Sequence, residues 1–287
     1  MDVGDSHLHW SLTRKLEPMR IYNNVNSVGI QNTLSNTSSS MQKSLQKLST
    51  GLRINNASDD AAGLSVSEGL RSQIRGSSMA QRNANDGLAM LQIAEAGTSQ
   101  ITDSLQRMRE LAIQSSNGTY ANTDRGYIQQ EYNALASEIV RISLSVTYNG
   151  IPVLASTTPF SFQVSSAAGG TSSTISFTPM NLSSGLSFGA VSTQSLAQTT
   201  IPMIDAILTS ILSLRATVGA TMNRLEATVT NLGAMVSNYS DAESRIRDTD
   251  FATETTTFTR NQILTQSATS MLSQANQLPN NVLSLLK

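Results

Sequence analysis

From Ile21 onward the apolar residues recur in threes and fours: Ile21, Val25 and Val28, then Met41, Leu45, Leu48 and Leu52. That spacing is the mark of a helix with one narrow apolar stripe. Gly51 and the stretch NNASDDAAG break the pattern with turn and cap residues, and Asp59 or Asp60 is placed to cap the next helix. This second helix is predicted from about Asp60 through Gln81. A long third one runs from Asn83 to Ser116, with Ala94, Thr98, Ile101, Leu105, Met108 and Ala112 at heptad spacing. At 1.5 Å per residue this third helix would be roughly 50 Å long. NGTYANTD, Asn117 to Asp124, reads as a loop, and Arg125 to about Val146 as a further helix.

Between Pro152 and Thr200 the period changes. The stretch is rich in Ser, Thr and Gly, and Phe160/Phe162 and Ile175/Phe177 alternate with polar neighbours, which is the strand period. With Gly169-Gly170 as the turn, one hairpin fits, at about residues 156–185. Helical spacing then returns. Val218, Met222, Leu225, Val229, Leu232 and Val236 form a coiled-coil seam expected to pair within the chain with Ile101, Leu105 and Met108. The last segment, Asp248 to Lys287, carries Ile263, Leu264, Met271, Leu272, Ala275 and Leu278 on one side, and Pro279 is expected to interrupt it. The fold class is therefore mainly α: long coiled-coil-like helices from both chain ends forming a rod, with one small β-hairpin region in the middle.

Composition narrows the chemistry. The net charge of -1 and pI of about 6.1 give no sign of a nucleic-acid or anionic-membrane partner. Apolar residues are 39% and aromatics only 5%, which suits helices packed along thin seams better than a thick core. No run of about 18 apolar residues occurs, so no transmembrane helix or membrane insertion is expected. Cysteine is absent, and His7, His9 and Trp10 all fall in the first eighteen residues. From Met19 on there is thus no thiol nucleophile, imidazole base or common zinc ligand. A carboxylate-only hydrolase or an oxygen-ligand metal site stays formally open, but neither an enzyme nor a cofactor is expected. Residues 1–18 also lack the apolar region and cleavage site of a secretory signal. They look unlike the remainder of the chain.

Several longer motifs succeed one another: LSTGLRINNASDDAAGLSVSEGLRSQI (Leu48 to Ile74), QRNANDGLAMLQIAEAG (Gln81 to Gly97), LQRMRELAIQSSNGTY (Leu105 to Tyr120), TYNGIPVLAS (Thr147 to Ser156) and the final QANQLPNNVLSLLK. In this order they closely resemble the two ends of bacterial flagellins, over nearly everything from Met19 to Lys287, with a looser match in the middle. Because the resemblance begins there, it implies Met19 as the expected start and residues 1–18 as an extension. The large outer domains of many flagellins have no counterpart here, because only about fifty residues separate the two helical parts.

Narrow stripes at both chain ends suit either an intramolecular bundle or an assembly of copies, and periodicity alone leaves both open. The resemblance implies the second: a structural subunit that polymerises into the extracellular flagellar filament for motility. On this reading residues 19–60 with 248–287 form a terminal inner coiled-coil domain, and 61–247 an outer rod domain. The expected assembly seams are Val25, Val28, Leu45, Leu48, Ile263, Leu264, Met271, Leu272 and Leu278. The alternatives are a hook–filament junction protein and a flagellin-like cell-surface binding protein. The resemblance further implies type III export, an export chaperone, and cap or junction proteins as partners.

Arg107, Arg109 and Glu110 on the long helix and Glu131 on the next would by themselves be a solvated charged face. By resemblance, QRMRELAIQ looks like the segment recognised by the flagellin-sensing Toll-like receptor of animals, with Arg107, an exposed Leu111 and Glu131 at the contact positions. In SDDAAG, Asp59 and Asp60 have no further acidic ligand at calcium-loop spacing, and a helix cap is the simpler reading.

Overall fold

The structure is a computed structural model that describes residues 24–166, 173–182 and 186–285. The chain divides into two compact units. One joins the described residues up to Leu64 with those from Ile246 onward, and the other is Ser65–Arg245. The extension through residue 18, with His7, His9 and Trp10, lies outside the described residues, as do Met19, Ile21 and the Gly169-Gly170 turn.

In the first unit, helix α1 (Val25–Thr50) starts where the Asn24 side chain accepts from the Ser27 N–H at 3.1 Å. It ends at Gly51, whose φ of 73° is the left-handed cap and whose N–H bonds Lys47 O at 2.9 Å. Helix α2 (Ala61–Ser116) begins under Asp60, whose carboxylate accepts from the Gly63 N–H at 2.8 Å. Asp59 instead closes the preceding turn, accepting from the N–H groups of Asn55 and Asn56 at 3.2 and 3.1 Å. Those backbone donors, Asn56 first, hold its carboxyl below the usual aspartate range.

The expected break between Gln81 and Asn83 does not exist, because α2 is one continuous helix of 56 residues. No Pro or Gly stands at that point, and Asn83 serves a tertiary purpose: its amide donates to Gln163 O at 3.2 Å. One helical turn later the ring of Phe162 lies so close to Gly87 that a Cβ there would sit 2.9 Å from it. Helix α3 (Asn122–Ser145) begins three residues earlier than expected. Its Arg125 is buried and turns back onto the end of α2, donating to Ser115 O (2.8 Å) and Asn117 O (2.9 Å). Orphan carbonyls at a helix end are thereby satisfied by a cation.

Two hairpins occur where one was expected. Strands β1 (Thr147–Tyr148) and β2 (Ile151–Pro152) pair across Asn149 (φ 50°) and Gly150 (φ 76°), the Asn-Gly combination that favours a tight hairpin turn. Strands β3 (Phe160–Gln163) and β4 (Thr174–Phe177) pair with Phe160 opposite Phe177 and Phe162 opposite Ile175. Helix α4 (Gln194–Arg247) carries Pro202 within it, so it starts before Thr200. Helix α5 (Phe251–Leu285) runs on past Pro279, which removes one backbone donor without ending it.

The second unit has a thicker core than composition suggested. Ile101, Leu105, Met108, Val218 and Leu225 are fully buried, Leu232 nearly so, and Met222, Val229 and Val236 are half-buried. The non-helical middle supplies what a thin seam lacks: Val153, Leu154, Phe177, Leu182 and Val191 are buried in the same cluster. α4 also contains an 18-residue window of mean hydropathy 1.5, long and apolar enough by length and composition alone to cross a membrane, though Asp205 and Arg215 keep the helix from being an unbroken apolar run. Its apolar face is used inside the protein, with Ile204, Ile211, Leu214 and Val218 in the core.

Candidate assembly faces and the Arg107 cluster

α1 and α5 lie side by side and antiparallel. At one end Asn24 donates to Ala275 O (2.9 Å) and Ser27 to the Asn276 side chain (3.0 Å), and at the other Lys47 faces Glu254 at 3.9 Å. The residues buried on the two helices are small: Ser27, Thr37 and Ser44 from α1, Ala268 and Ala275 from α5. Ile30, Met41 and Phe258 are half-buried beside them, whereas several other large apolar side chains stand in solvent. Val25 is 64% exposed and Met271 61%, and Val28, Leu45, Ile263, Leu264 and Phe251 are exposed too. Leu48 and Leu272 are half-buried, and the side chain of Leu278 lies outside the described residues. The stripe seen in the sequence is therefore covered only in part by the α1–α5 contact, at Met41, Leu48 and Leu272. Small residues let the two backbones approach, which turns several larger ones outward.

In the second unit Arg107 reaches across from α2 to α3. Its Nε and Nη2 donate to Glu131 Oε1 at 3.0 and 2.9 Å, and its Nη1 to Glu110 Oε2 at 3.0 Å. All three side chains are about half exposed or more. The hydrogen bond from Glu131, then that from Glu110, raises the Arg107 pKa above its ordinary value. Leu111 departs from expectation, because it is 2% exposed and belongs to the core cluster. It stands three residues after Met108 and so continues the buried stripe, as well as standing four after Arg107. Arg109 turns the other way, to Asp205 of α4 at 2.6 Å, and Arg215 meets Glu95 at 2.6 Å. Asp205 and Glu95 escaped the sequence reading, since a partner some hundred residues away leaves no local signal. Among the described residues no group of three His, Cys, Asp or Glu could hold a metal ion.

The architecture defines a class first: a helical protein whose two chain ends pair while presenting apolar faces outward. Comparison with known proteins narrows it. Residues 21–158 match the bacterial flagellin N-terminal helical region and residues 201–286 the bacterial flagellin C-terminal helical region. The chain is 41% identical to the flagellar filament 33 kDa core protein of Treponema phagedenis, over 94% of this chain and all of that one. It is 38% identical to the flagellin of Bacillus subtilis (strain 168), with the same coverage. The crystal structure of Bacillus cereus flagellin aligns with a TM-score of 0.48 at 31% identity, over 53% of this chain and 88% of that one. The chain belongs to the bacterial flagellins. It is a structural subunit of the flagellar filament, not an enzyme, and membership of the family implies self-polymerisation. Flagellin homologues form a filament that is extracellular.

Proposed function

We propose that this subunit polymerises through the outward faces of α1 and α5, with Val25, Val28, Leu45, Ile263, Leu264 and Met271 becoming buried between copies. One observation carries this: large apolar side chains stand in solvent on both helices while small ones occupy the contact between them. Apolar surface left exposed along a helix pair is a standing drive toward association. A head-to-tail contact that does not close on itself builds a filament. Met271→Asp and Ile263→Asp test the reading. Each places a carboxylate at a site that is wet in the monomer and dry in the proposed polymer, where an unpaired charge costs several kcal/mol. Both variants are expected to keep the melting curve of the monomer and lose salt-induced filaments in negative-stain microscopy. Deleting residues 251–287 is expected to do the same. Normal filaments from any of the three would show that these faces do not carry assembly.

The type III export route, an export chaperone, and cap or junction proteins are proposed for this chain from its likeness to the family. None of these relatives favours a hook–filament junction protein or a cell-surface binding protein. A second reading concerns the animal Toll-like receptor. The exposed Arg107–Glu131 pair supports Arg107 and Glu131 as contact residues, whereas the burial of Leu111 makes it a support beneath that surface. Arg107→Ala is expected to lower receptor signalling by monomers several-fold, with Arg107→Lys restoring it in part because lysine lacks the planar fork. Equal signalling by all three proteins would reduce the cluster to a solvated ion pair.

A further inference from the structure

The α1–α5 contact buries small residues, Ser27, Thr37 and Ser44 on one helix and Ala268 and Ala275 on the other, and half-buried Ile30, Met41, Leu48, Phe258 and Leu272 alternate with them. Sliding one helix by a turn would set large side chains where small ones stand. The pair therefore presents its pattern in one register, and the ends of the two helices show what helps to hold it.

The segments leading out of α1 and into α5 are pinned together next to the pair. Leu52 and Asp248 form an isolated antiparallel β-bridge. On either side, the Arg53 N–H donates to Arg247 O at 2.7 Å and the Thr249 N–H to Gly51 O at 2.9 Å. The Arg53 guanidinium then donates through Nε (3.2 Å) and Nη2 (2.6 Å) to Ile246 O, a carbonyl in the last turn of α4. The last turn of a helix leaves that carbonyl without a partner along its own backbone, and a cation is the favoured group to supply one. Each end of the short bridge is therefore closed, and α5 starts three residues beyond it, where Asp250 caps the Ala252 and Thr253 N–H groups.

The geometry points to Arg53 as a positioning residue for assembly: by clamping Ile246 O it fixes where α5 begins relative to the end of α1, and so sets the register in which the two helices present their apolar faces. This rests on the reading of α1 and α5 as the assembly helices. A filament needs every copy to present one pattern, so a pair free to slip by a turn would present two.

The test uses the full chain, which has no native cysteine to interfere. Ser27→Cys with Asn276→Cys reports the observed register, since these side chains meet at 3.0 Å. Ser27→Cys with Ser273→Cys reports a pairing displaced by about one turn. Each pair is bridged with a short bismaleimide in filaments of otherwise wild-type chain, of Arg53→Ala and of Arg53→Lys. Circular dichroism melting of the second unit confirms folding. Arg53→Ala is expected to raise the critical concentration for assembly roughly tenfold, the ratio matching one charge-assisted hydrogen bond. It is also expected to move crosslinking from the first pair toward the second, with Arg53→Lys intermediate. A variant that fails to assemble alone is offered wild-type filament seeds. Failure to add to them, partly restored by lysine, supports the proposal equally. Wild-type crosslinking at the first pair in Arg53→Ala filaments overturns it, as does a loss of assembly that lysine does not restore at all. If the chain lacking residues 251–287 still forms filaments, the assembly reading itself fails, whatever Arg53 does.

Discussion

Arg107 and Leu111 show how far residue spacing reaches. Four residues apart on one helix, they occupy one broad side of it, yet one is solvated and the other is 2% exposed. Their variants should therefore separate cleanly. Leu111→Ala removes core side-chain volume and is expected to cost about 2–5 kcal/mol in chemical denaturation, whereas Arg107→Ala should leave the midpoint unchanged. Comparable losses in the two would mean that the helix is rotated from the position described. Tyr132 offers a second residue-scale test. It is fully buried and its hydroxyl has no hydrogen-bond partner. Burial pushes its pKa up to about 12. Tyr132→Phe deletes an unpaired polar atom and is expected to be neutral or to stabilise by up to about 1 kcal/mol. Because the folded-state pKa is raised, the protonation-linked contribution of the wild-type phenol is complete below its unfolded value of about 10 and is lost as pH rises through the folded value. The phenylalanine variant should thus resist alkaline unfolding better, as followed by circular dichroism. Greater sensitivity to alkali in the variant would reveal a hydroxyl that is in fact bonded.

At the scale of elements, caps were the readable part. Asn24, Gly51 and Asp60 hold helix ends as their residue types suggest. Asp250 belongs with them at the start of α5. Its carboxylate accepts from the Thr253 hydroxyl at 2.8 Å and from the N–H groups of Thr253 and Ala252 at 3.3 and 2.9 Å. Those bonds, the hydroxyl's first, lower its pKa. A depressed folded-state pKa gives stability that is complete above the unfolded value of about 4 and fades as pH falls through the lower folded value. Protection of the Ala252 and Thr253 amides, taken relative to the intrinsic exchange rate at each pH, should accordingly fall on acidification below about pH 4. Asp250→Asn should abolish that pH dependence, and its persistence in the variant would assign the effect to another group. Legibility failed where an element continues or repeats without punctuation. The expected break between Gln81 and Asn83 is absent: the Gln163 carbonyl gives the Asn83 side chain a partner and the helix passes through. Asn149-Gly150 carries the hairpin signal, but its flanking strands are two residues each, too short for an alternating period to mark them.

For the whole molecule, burial is unequally shared between the units. The core cluster lies entirely within Ser65–Arg245, and in the first unit the buried apolar residues among those described are Ile54, Ala268 and Ala275. Local stability tracks buried apolar contact. Amide exchange of the monomer is therefore expected to be slowest around Leu91–Leu111 and Ile204–Leu225 and fastest in α1 and α5. Assembly should then slow the terminal helices selectively. Uniform protection along the monomer would contradict this division, and unchanged exchange of α1 and α5 in filaments would count against their burial there.

The sequence by itself determined which segments are helical and that both ends carry narrow apolar stripes, because period and caps are local properties of the chain. It also carried the family, through motifs that recur in fixed order. Only the tertiary structure decided which side of a stripe is covered. A period states that apolar residues share a face, but whether that face meets a neighbour depends on how closely two backbones approach. Small side chains at Ser27 and Ser44 allow that approach and leave Val28 and Leu45, each the next residue round the helix, in solvent. The same holds for Arg53, Arg109 and Arg125, whose partners stand elsewhere along the chain: a charge announces that a partner is wanted, and only the fold brings one within reach.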